Sequence, residues 1–407
     1  VVVVEHDQQI MRAADVTVEI GPGAGASGGQ VLYVGPPAGL VGVEGSATAL
    51  VLAGRQFQPP ARRRPPGAAK LRLAGAKGHN LKEIDVEFPL GLLCVVTGVS
   101  GAGKSTLVEE TLYPALCRRL RSEFVPCEPF RELTGTAGLD DVVLLDASPI
   151  GRSARSNPIT YLKAFDEIRK AFAATHEAKI RNYKASQFSF NVEGGRCTAC
   201  QGNGFLTIDM QFLADVMMRC PECQGTRYRP EVLEVTYRGK NIAEVLELTA
   251  REAFSFFRHR PKIQSRLRPL LDVGLDYLRL GQPASTLSGG EAQRLKLAAF
   301  LAAGTSSLSR GGSRSKTLFI LDEPTTGLHP ADTLRLLDAL NTLLDLGHSL
   351  IVVEHNAEVM ASADWIIDLG PEAGDEGGRV VAQGTPEDVA KTDTHTGRVL
   401  AGILGGA

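Results

Sequence analysis

The 407-residue sequence predicts an α/β fold built on a buried, largely parallel sheet. Two short apolar runs, Leu92–Thr97 and Thr317–Leu321, are rich in β-branched residues and are typical of buried strands. The first run leads into a glycine-rich loop, and the second ends at the adjacent acids Asp322 and Glu323. Because open parallel sheets bind ligands at the carboxyl ends of their strands, we expect a functional site at this edge.

The glycine-rich loop reads GVSGAGKST and matches the Walker A pattern, with a strand before it and a helical pattern from Leu107 onward. In this motif the backbone wraps the phosphates, Lys104 reaches the terminal phosphates, and Ser105 binds Mg²⁺. The sequence therefore predicts a nucleoside triphosphate site. Its loop residues are Gly98, Ser100, Gly101, Gly103, Lys104, Ser105 and Thr106.

Two further segments favour the same ligand. Adjacent carboxylates such as Asp322 and Glu323 are costly to bury unless they hold a metal or a proton. The small residues Ser288, Gly289 and Gly290 open a helical pattern, where backbone N–H groups and the positive helix end suit an anion.

Four of the seven cysteines form two CxxC pairs, Cys197–Cys200 and Cys220–Cys223. Each pair favours a tight turn, and four thiolates suit tetrahedral Zn²⁺. We expect a structural zinc ion, because the protein would fill all four ligand positions; a redox dithiol is the alternative. Cys94, Cys117 and Cys127 are expected to be small hydrophobic residues.

The composition sets limits on the function. A net charge of −2 gives no overall attraction to nucleic acid, so any DNA contact must come from local patches. No apolar run approaches the ~20 residues of a membrane span, and charged residues directly follow the opening valines, unlike a signal peptide. Paired cysteines that favour metal over disulfides fit a cytoplasmic protein.

The chain contains an internal repeat. Val3–Pro37 and Val352–Pro386 align without a gap at a constant offset of 349 residues, as between His6 and His355. A repeat of so long a period indicates a duplicated domain. We interpret residues 1–37 as the C-terminal remnant of a first copy.

The order of the motifs resembles ABC-type ATPases: a Walker A loop, LSGGE, ILDEPTTGLH and VVEHN. Four stretches more specifically resemble the C-terminal half of the UvrA family, the damage-sensing subunits of bacterial excinuclease. They are SPIGRSARSNPITY (148–161), FSFNVEGGRCTACQGNGF (188–205), DVGLDYLRLGQPASTLSGGEAQRLKLA (272–298) and Leu321–His329. The resemblance covers nearly all of residues 70–390.

The resemblance implies roles for the site residues. Asp322 would hold Mg²⁺ with Ser105, Glu323 would act as the general base on the attacking water, and His355 would contact the γ-phosphate. The signature residues Ser288–Gly290 would complete the site of an opposing ATPase domain. That partner is either a second ATPase half or a second copy of the chain; without one, ATP hydrolysis should be poor. No aromatic residue stands out for stacking on adenine.

The resulting fold prediction is an α/β P-loop ABC-type ATPase domain with an inserted helical signature region and a small four-cysteine zinc module. The predicted segments are 1–37, a remnant of a first ATPase domain; 38–69, a linker; 70–150, the ATP-binding core; 151–286, the inserted region with the zinc module at 197–223; 287–390, the signature, Walker B and switch-histidine part of the core; and 391–407, a C-terminal tail.

The implied cofactors are ATP, Mg²⁺ and Zn²⁺. The implied partners are damaged double-stranded DNA and a UvrB-like repair protein, with no membrane. Basic residues of the insert are candidates for contacts to the duplex backbone: Arg152, Arg155, Lys179, Arg181, Lys184, Arg227 and Arg229. Arg62–Arg64 in the linker are either an exposed connector or a further phosphate contact.

The sequence departs from the family pattern at Ala147, where the family has a glutamine that senses Mg²⁺ and the γ-phosphate, and at Gln187, where it often has arginine. The segments LKAFDEIRKAF and MQFLADV resemble a UvrA-like branch without the UvrB-docking region, some of whose members are tied to drug resistance. Residues 308–316 are predicted to form a loop.

These features favour an ATP-hydrolysing DNA-damage recognition subunit of nucleotide excision repair. A DNA- or partner-binding protein that does not hydrolyse ATP is the alternative that Ala147 favours. The cysteine quartet counts against a drug-exporter ATPase subunit.

Overall fold

The computed structural model describes residues 1–23, 28–54, 57–151, 153, 155–208, 216–307 and 315–405. Within this part of the chain, two compact units are formed, one by 1–147 with 306–407 and the other by 148–305. No described helix combines the length and the apolar character needed to cross a bilayer.

In the described residues the strands are β1 (Thr17–Gly21), β2 (Gln30–Gly35), β3 (Lys70–Ala76), β4 (Ile84–Pro89), β5 (Leu93–Gly98), β6 (Glu132–Thr134), β7 (Asp141–Leu145), β8 (Phe205–Ile208), β9 (Val216–Arg219), β10 (Thr317–Asp322), β11 (Ser349–Val353), β12 (Trp365–Gly370) and β13 (Arg379–Gly384).

The α-helices are α1 (Gln8–Ala13), α2 (Pro37–Leu40), α3 (Ala47–Leu52), α4 (Tyr113–Leu116), α5 (Pro158–Tyr161), α6 (Phe165–Ala173), α7 (His176–Ile180), α8 (Pro230–Leu233), α9 (Ile242–Glu247), α10 (Ala250–Phe256), α11 (Pro261–Asp272), α12 (Gly289–Ser307), α13 (Pro330–Asp345), α14 (Ala357–Ser362), α15 (Pro386–Val389) and α16 (His395–Leu404). Two π-helical stretches, Thr106–Leu112 and Cys117–Arg121, flank α4 and form one continuous helical segment with it.

The first unit is built on a six-stranded sheet in the order β13-β12-β5-β11-β10-β7. Its pairs are parallel except for the β12–β13 hairpin, as expected for buried β-branched strands. A second, antiparallel sheet has the order β4-β3-β6. Side chains of both sheets and of the helix after the Walker A loop share one hydrophobic core, which fixes that loop between them.

The internal repeat is confirmed element by element. At the offset of 349, α1 matches α14, β2 matches β13, α2 matches α15, and β1 matches β12 apart from one residue at its start. The bulge also recurs, between Glu19 and Ile20 in one hairpin and between Asp368 and Leu369 in the other. The two copies therefore encode the same local structure.

The predicted linker and the predicted C-terminal tail each contain a helix. Part of the predicted linker is α3, which begins after the N-cap Ser46 and buries Leu52. The predicted tail likewise contains α16, which begins after Thr394 and buries Leu400. The starts of these two helices are 348 residues apart, one fewer than the offset of the repeat. This one-residue difference explains why the ungapped alignment stops before them.

The remainder of the linker is held by ion pairs. Arg63 makes a bidentate contact with Glu387, and Arg64 lies against Asp345 and Asp364. Arg63 and Arg64, which were candidates for a DNA-phosphate contact, are therefore paired with acidic residues of the same chain. Arg62 is the exposed member of Arg62–Arg64.

The second unit contains α5–α12 and the β8–β9 hairpin. The prediction placed the signature segment with the ATPase core, whereas the structure groups residues 287–305 with the inserted unit. The reason is local: Tyr277 donates to Glu291, and Arg294 donates to the Val273 carbonyl, which ties the start of α12 to the preceding loop. Arg152, the predicted 308–316 loop up to residue 314, and most of MQFLADV lie outside the described residues.

Candidate nucleotide site and cysteine cluster

The Walker A loop connects β5 to the helix that begins at Thr106. The backbone demands glycine at Gly98, whose φ is +133° and where a Cβ would lie 2.1 Å from the Leu369 carbonyl oxygen of the neighbouring β12. Gly103 has a φ of +103°. Glycine adopts these conformations readily and most other residues do not, which explains why the motif has glycine at these two positions.

Lys104 lies at the centre of the loop. Its ammonium group donates to the carbonyls of Gly98 and Val99, at 2.8 and 3.0 Å. Burial lowers the pKa of Lys104, while the nearby carboxylates of Glu323 and Asp322 raise it. The charge is thus positioned inside the loop, where the motif requires a cation for the terminal phosphates.

The acids end the neighbouring strand. Asp322 is the last residue of β10, and the carboxyl of Glu109, from the helix after the loop, is hydrogen-bonded to it. Burial and the proximity of Asp322 raise the pKa of Glu109 to about 8. Burial also raises the pKa of Asp322. Carboxylate oxygens are ligands that Mg²⁺ prefers, so this pair of acids is compatible with the ion. Ser105, which follows Lys104 in the Walker A loop, is exposed.

Glu323 and His355 lie side by side at the same sheet edge, with 3.7 Å between Glu323 Oε1 and His355 Nδ1. Glu323 has a φ of +40°, a left-handed conformation that is strained for a glutamate. Its backbone N–H donates to the Val353 carbonyl, so β11 holds this conformation. The structure therefore brings together the predicted base and the predicted γ-phosphate contact.

Asp146 and Ala147 follow β7, which pairs in parallel with β10 so that Leu145 lies opposite Leu321. The negative charge of Asp146 also contributes to the raised pKa of Glu109, which places this segment close to the acids. Ala147, which follows Asp146, therefore stands near the site with only a methyl group as its side chain.

The signature residues open the 19-residue α12 in the second unit. The Ser288 hydroxyl accepts from the Glu291 N–H at 3.3 Å, and the Glu291 carboxylate accepts from the Ser288 N–H at 2.8 Å, which is a capping box. Tyr277 donates to the same carboxylate at 2.6 Å. The exposed helix start keeps the N–H groups of Gly289 and Gly290 available for an anion.

The four predicted ligand cysteines cluster. All four thiols are buried, and their sulfur atoms lie within 4.8 Å of one another. The distances are 3.9 Å for Cys197–Cys220 and 3.6 Å for Cys200–Cys223. A tetrahedron with zinc–sulfur bonds of about 2.3 Å has sulfur–sulfur distances of about 3.8 Å, so the cluster fits zinc.

The other cysteines behave as predicted or nearly so. Cys94 and Cys117 are fully buried in the core of the first unit, and Cys127 is half-buried. Burial raises the pKa of all three thiols, which makes them poor nucleophiles.

The described basic residues of the insert divide into exposed and more buried ones. Lys179, Arg181, Lys184 and Arg229 are exposed, and Arg181 forms an ion pair with Glu234. Arg155 is half-buried and donates to the Asn203 side chain. Arg227 is only 7% exposed; its guanidinium donates to the Gly281 carbonyl and lies over the Phe190 ring, so it does not belong to a surface.

The sequence analysis did not identify Glu109 or Glu354, and it did not predict that Arg227 is buried. Glu109 had no signal beyond its place one turn after Lys104. Glu354 did have a signal, because the repeat retains the same residue as Glu5, immediately before His6.

A parallel sheet that presents a Walker A loop and an Asp-Glu pair at one edge defines an α/β P-loop ATPase fold. A comparison with known protein families gave no family model that matches the chain. Curated proteins and solved structures do match it. UvrABC system protein A of Lactiplantibacillus plantarum is 51% identical over 405 residues, covering 99% of this chain and 42% of that protein.

The protein of the same name from Methanothermobacter thermautotrophicus is 52% identical over 404 residues, covering 99% of this chain and 41% of that protein. The crystal structure of UvrA2 from Deinococcus radiodurans has a TM-score of 0.88 and 49% identity, covering 98% of this chain and 48% of that one. The chain therefore belongs to the UvrA family, whose C-terminal half it matches, and it spans less than half the length of these relatives.

Proposed function

We propose that the chain binds and hydrolyses ATP as part of a UvrA-like DNA-damage recognition subunit of nucleotide excision repair. The observation that carries the proposal is the meeting of Lys104, Asp322, Glu323 and His355 at one sheet edge, in a chain about half identical to UvrABC system proteins along 99% of its length. Relatives with that name also weigh against an exporter ATPase.

The residues support distinct steps of hydrolysis. Lys104 would exchange its bonds to loop carbonyls for bonds to the terminal phosphate oxygens. Glu323 would accept the proton of the attacking water, and His355, beside it, would donate to the γ-phosphate as charge develops. Mg²⁺, held by Ser105 and Asp322, would neutralise the phosphate charge.

The signature residues of this chain would complete the site of an opposing ATPase domain, either a second half or a second copy. We further propose that Cys197, Cys200, Cys220 and Cys223 hold a structural zinc ion, and that exposed basic residues of the second unit contact damaged double-stranded DNA. A UvrB-like protein is the expected repair partner.

One observation favours a second candidate, a protein that binds ATP and DNA without turnover. Ala147 follows the strand beside Walker B, where the family pattern has a glutamine. An amide there would report the γ-phosphate, and a methyl group cannot.

The deciding experiment is ATP turnover by the purified chain over a series of protein concentrations, with and without damaged duplex DNA. Specific activity that rises with concentration and responds to damaged DNA supports the hydrolysing sensor and self-pairing. Negligible turnover at every concentration, with ATP still bound, favours the second candidate.

A further inference from the structure

Glu354 is a fully buried carboxylate at the carboxyl end of β11, with 0% of its surface exposed. Its backbone N–H donates to Val96 of the neighbouring β5, so its position in the sheet is fixed. A buried carboxylate is costly unless it is hydrogen-bonded. The bonds of Glu354 reach two turns that carry the proposed chemistry.

The two oxygens divide between the turns. Oε1 accepts from the backbone N–H of Thr325 at 3.0 Å and from the Thr325 hydroxyl. Oε2 accepts from the backbone N–H groups of His355 and Asn356, at 2.7 and 2.9 Å. Glu354 therefore connects the Walker B turn, residues 323–326, to the switch turn, residues 355–356.

Each turn presents one of the two reacting side chains. Glu323 lies two residues before Thr325, and His355 is itself bonded to Glu354 through its backbone. Both side chains are solvent-accessible, and the distance between them is 3.7 Å. Because Glu354 is bonded to both turns, it holds the Glu323 and His355 side chains at this separation. It does so from the buried interior, away from the exposed face where substrate would bind.

Resting on the proposed function, we propose that Glu354 is a positioning residue for ATP hydrolysis, which holds Glu323 and His355 in register through this carboxylate bridge. The repeat gives independent support, because Glu5 precedes His6 in the first copy as Glu354 precedes His355. A glutamate is required because all four partners are donors: an amide would direct its own N–H groups at one of the two turns.

The test compares Glu354→Gln with Glu358→Gln, a buried glutamate four residues further along. Burial raises the pKa of Glu358 to about 7, so its amide variant removes less charge and serves as the matched control. Steady-state kcat and KM for ATP are measured for both. Hydrogen exchange is followed on peptides that cover the two turns and the strands β5 and β10.

For Glu354→Gln we expect kcat to fall on the order of 100-fold with KM within about two-fold, because misplacing a catalytic group by an ångström has such an effect. Exchange should accelerate in both turns together and stay slow in the strands. Glu358→Gln should keep the parent kcat and KM, and exchange in its two turns should be no faster than in the parent. Faster exchange throughout the sheet would reveal a merely structural residue and overturn the proposal.

Turnover and exchange in both turns like those of Glu358→Gln would overturn it as well. If the parent chain hydrolyses no ATP, the proposed function fails by itself, and exchange decides about the bridge. Coupled loss of protection in the two turns then supports it, and unchanged protection refutes it.

Discussion

Replacing Cys220 with alanine tests the zinc site at its most buried ligand, whose thiol is 0% exposed. A structural zinc site contributes about 10–16 kcal/mol of binding free energy, so one thiolate in four accounts for about 2.5–4 kcal/mol. That loss corresponds to a zinc affinity weaker by about 100- to 1,000-fold. Nucleotide binding should persist, because the cysteines lie in the second unit and the Walker A loop lies in the first.

Zinc content is measured per chain after dialysis, and affinity by competition with a chelator, while a fluorescent ATP analogue reports the nucleotide site. Cys127→Ala is the matched control, because Cys127 is a half-buried cysteine outside the cluster whose thiol contacts the Thr111 carbonyl. Parent-like zinc affinity in Cys220→Ala would refute the four-cysteine site. Equal zinc loss in Cys127→Ala would show that the effect is not specific to the cluster.

Three further predictions concern the first unit. Glu323→Gln should bind ATP with near-parent affinity and lose turnover by at least about 100-fold, because the water loses its base; parent-like turnover in a single-turnover assay would exclude Glu323 as the base. Burial raises the pKa of Glu358 from 4.5 to about 7, so the folded chain loses stability as the pH rises through that range. Glu358→Gln should therefore gain about 1–2 kcal/mol in urea unfolding above pH 7, after solvent screening, and little near pH 4; an equal gain at both pH values contradicts this. Gly98→Ala should destabilise the first unit by several kcal/mol more than Gly91→Ala. Both glycines have a positive φ, but only at Gly98 would a Cβ clash with backbone, at Leu369. Equal unfolding midpoints of the two variants would count against this clash.

The elements that the sequence predicted best are those in which a pattern and a chemical motif coincide. In the sequence, Leu71 and Leu73 flank Arg72, and Val86 and Phe88 flank Glu87, which is the alternation of half-buried strands. In the structure β3 and β4 pair, and these four apolar side chains are buried. The Walker A loop follows its strand, as the motif requires. In both places local propensity and tertiary packing favour the same structure, so sequence alone is sufficient.

The missed residues depend on contacts that are distant in sequence. Glu109 meets Asp322 only because the helix after the loop packs beside β10. A basic composition predicted a surface role for Arg227, yet its guanidinium is buried against the Gly281 carbonyl and the Phe190 ring. A basic residue type does not by itself indicate exposure, because a long side chain can pack its aliphatic part in the interior while its charged group is hydrogen-bonded.

The two copies of the repeat show which features of a hairpin follow from its own sequence and which follow from its neighbours. The β1–β2 and β12–β13 hairpins share strands, register and bulge position. Their burial differs: Val18 is 55% exposed, whereas its counterpart Ile367 is 0% exposed in the sheet beside β5. Since the two hairpins keep the same register and bulge in these different settings, their register does not depend on a neighbouring strand. Sequence patterns can therefore predict such hairpins, but which face is covered depends on the partner strand.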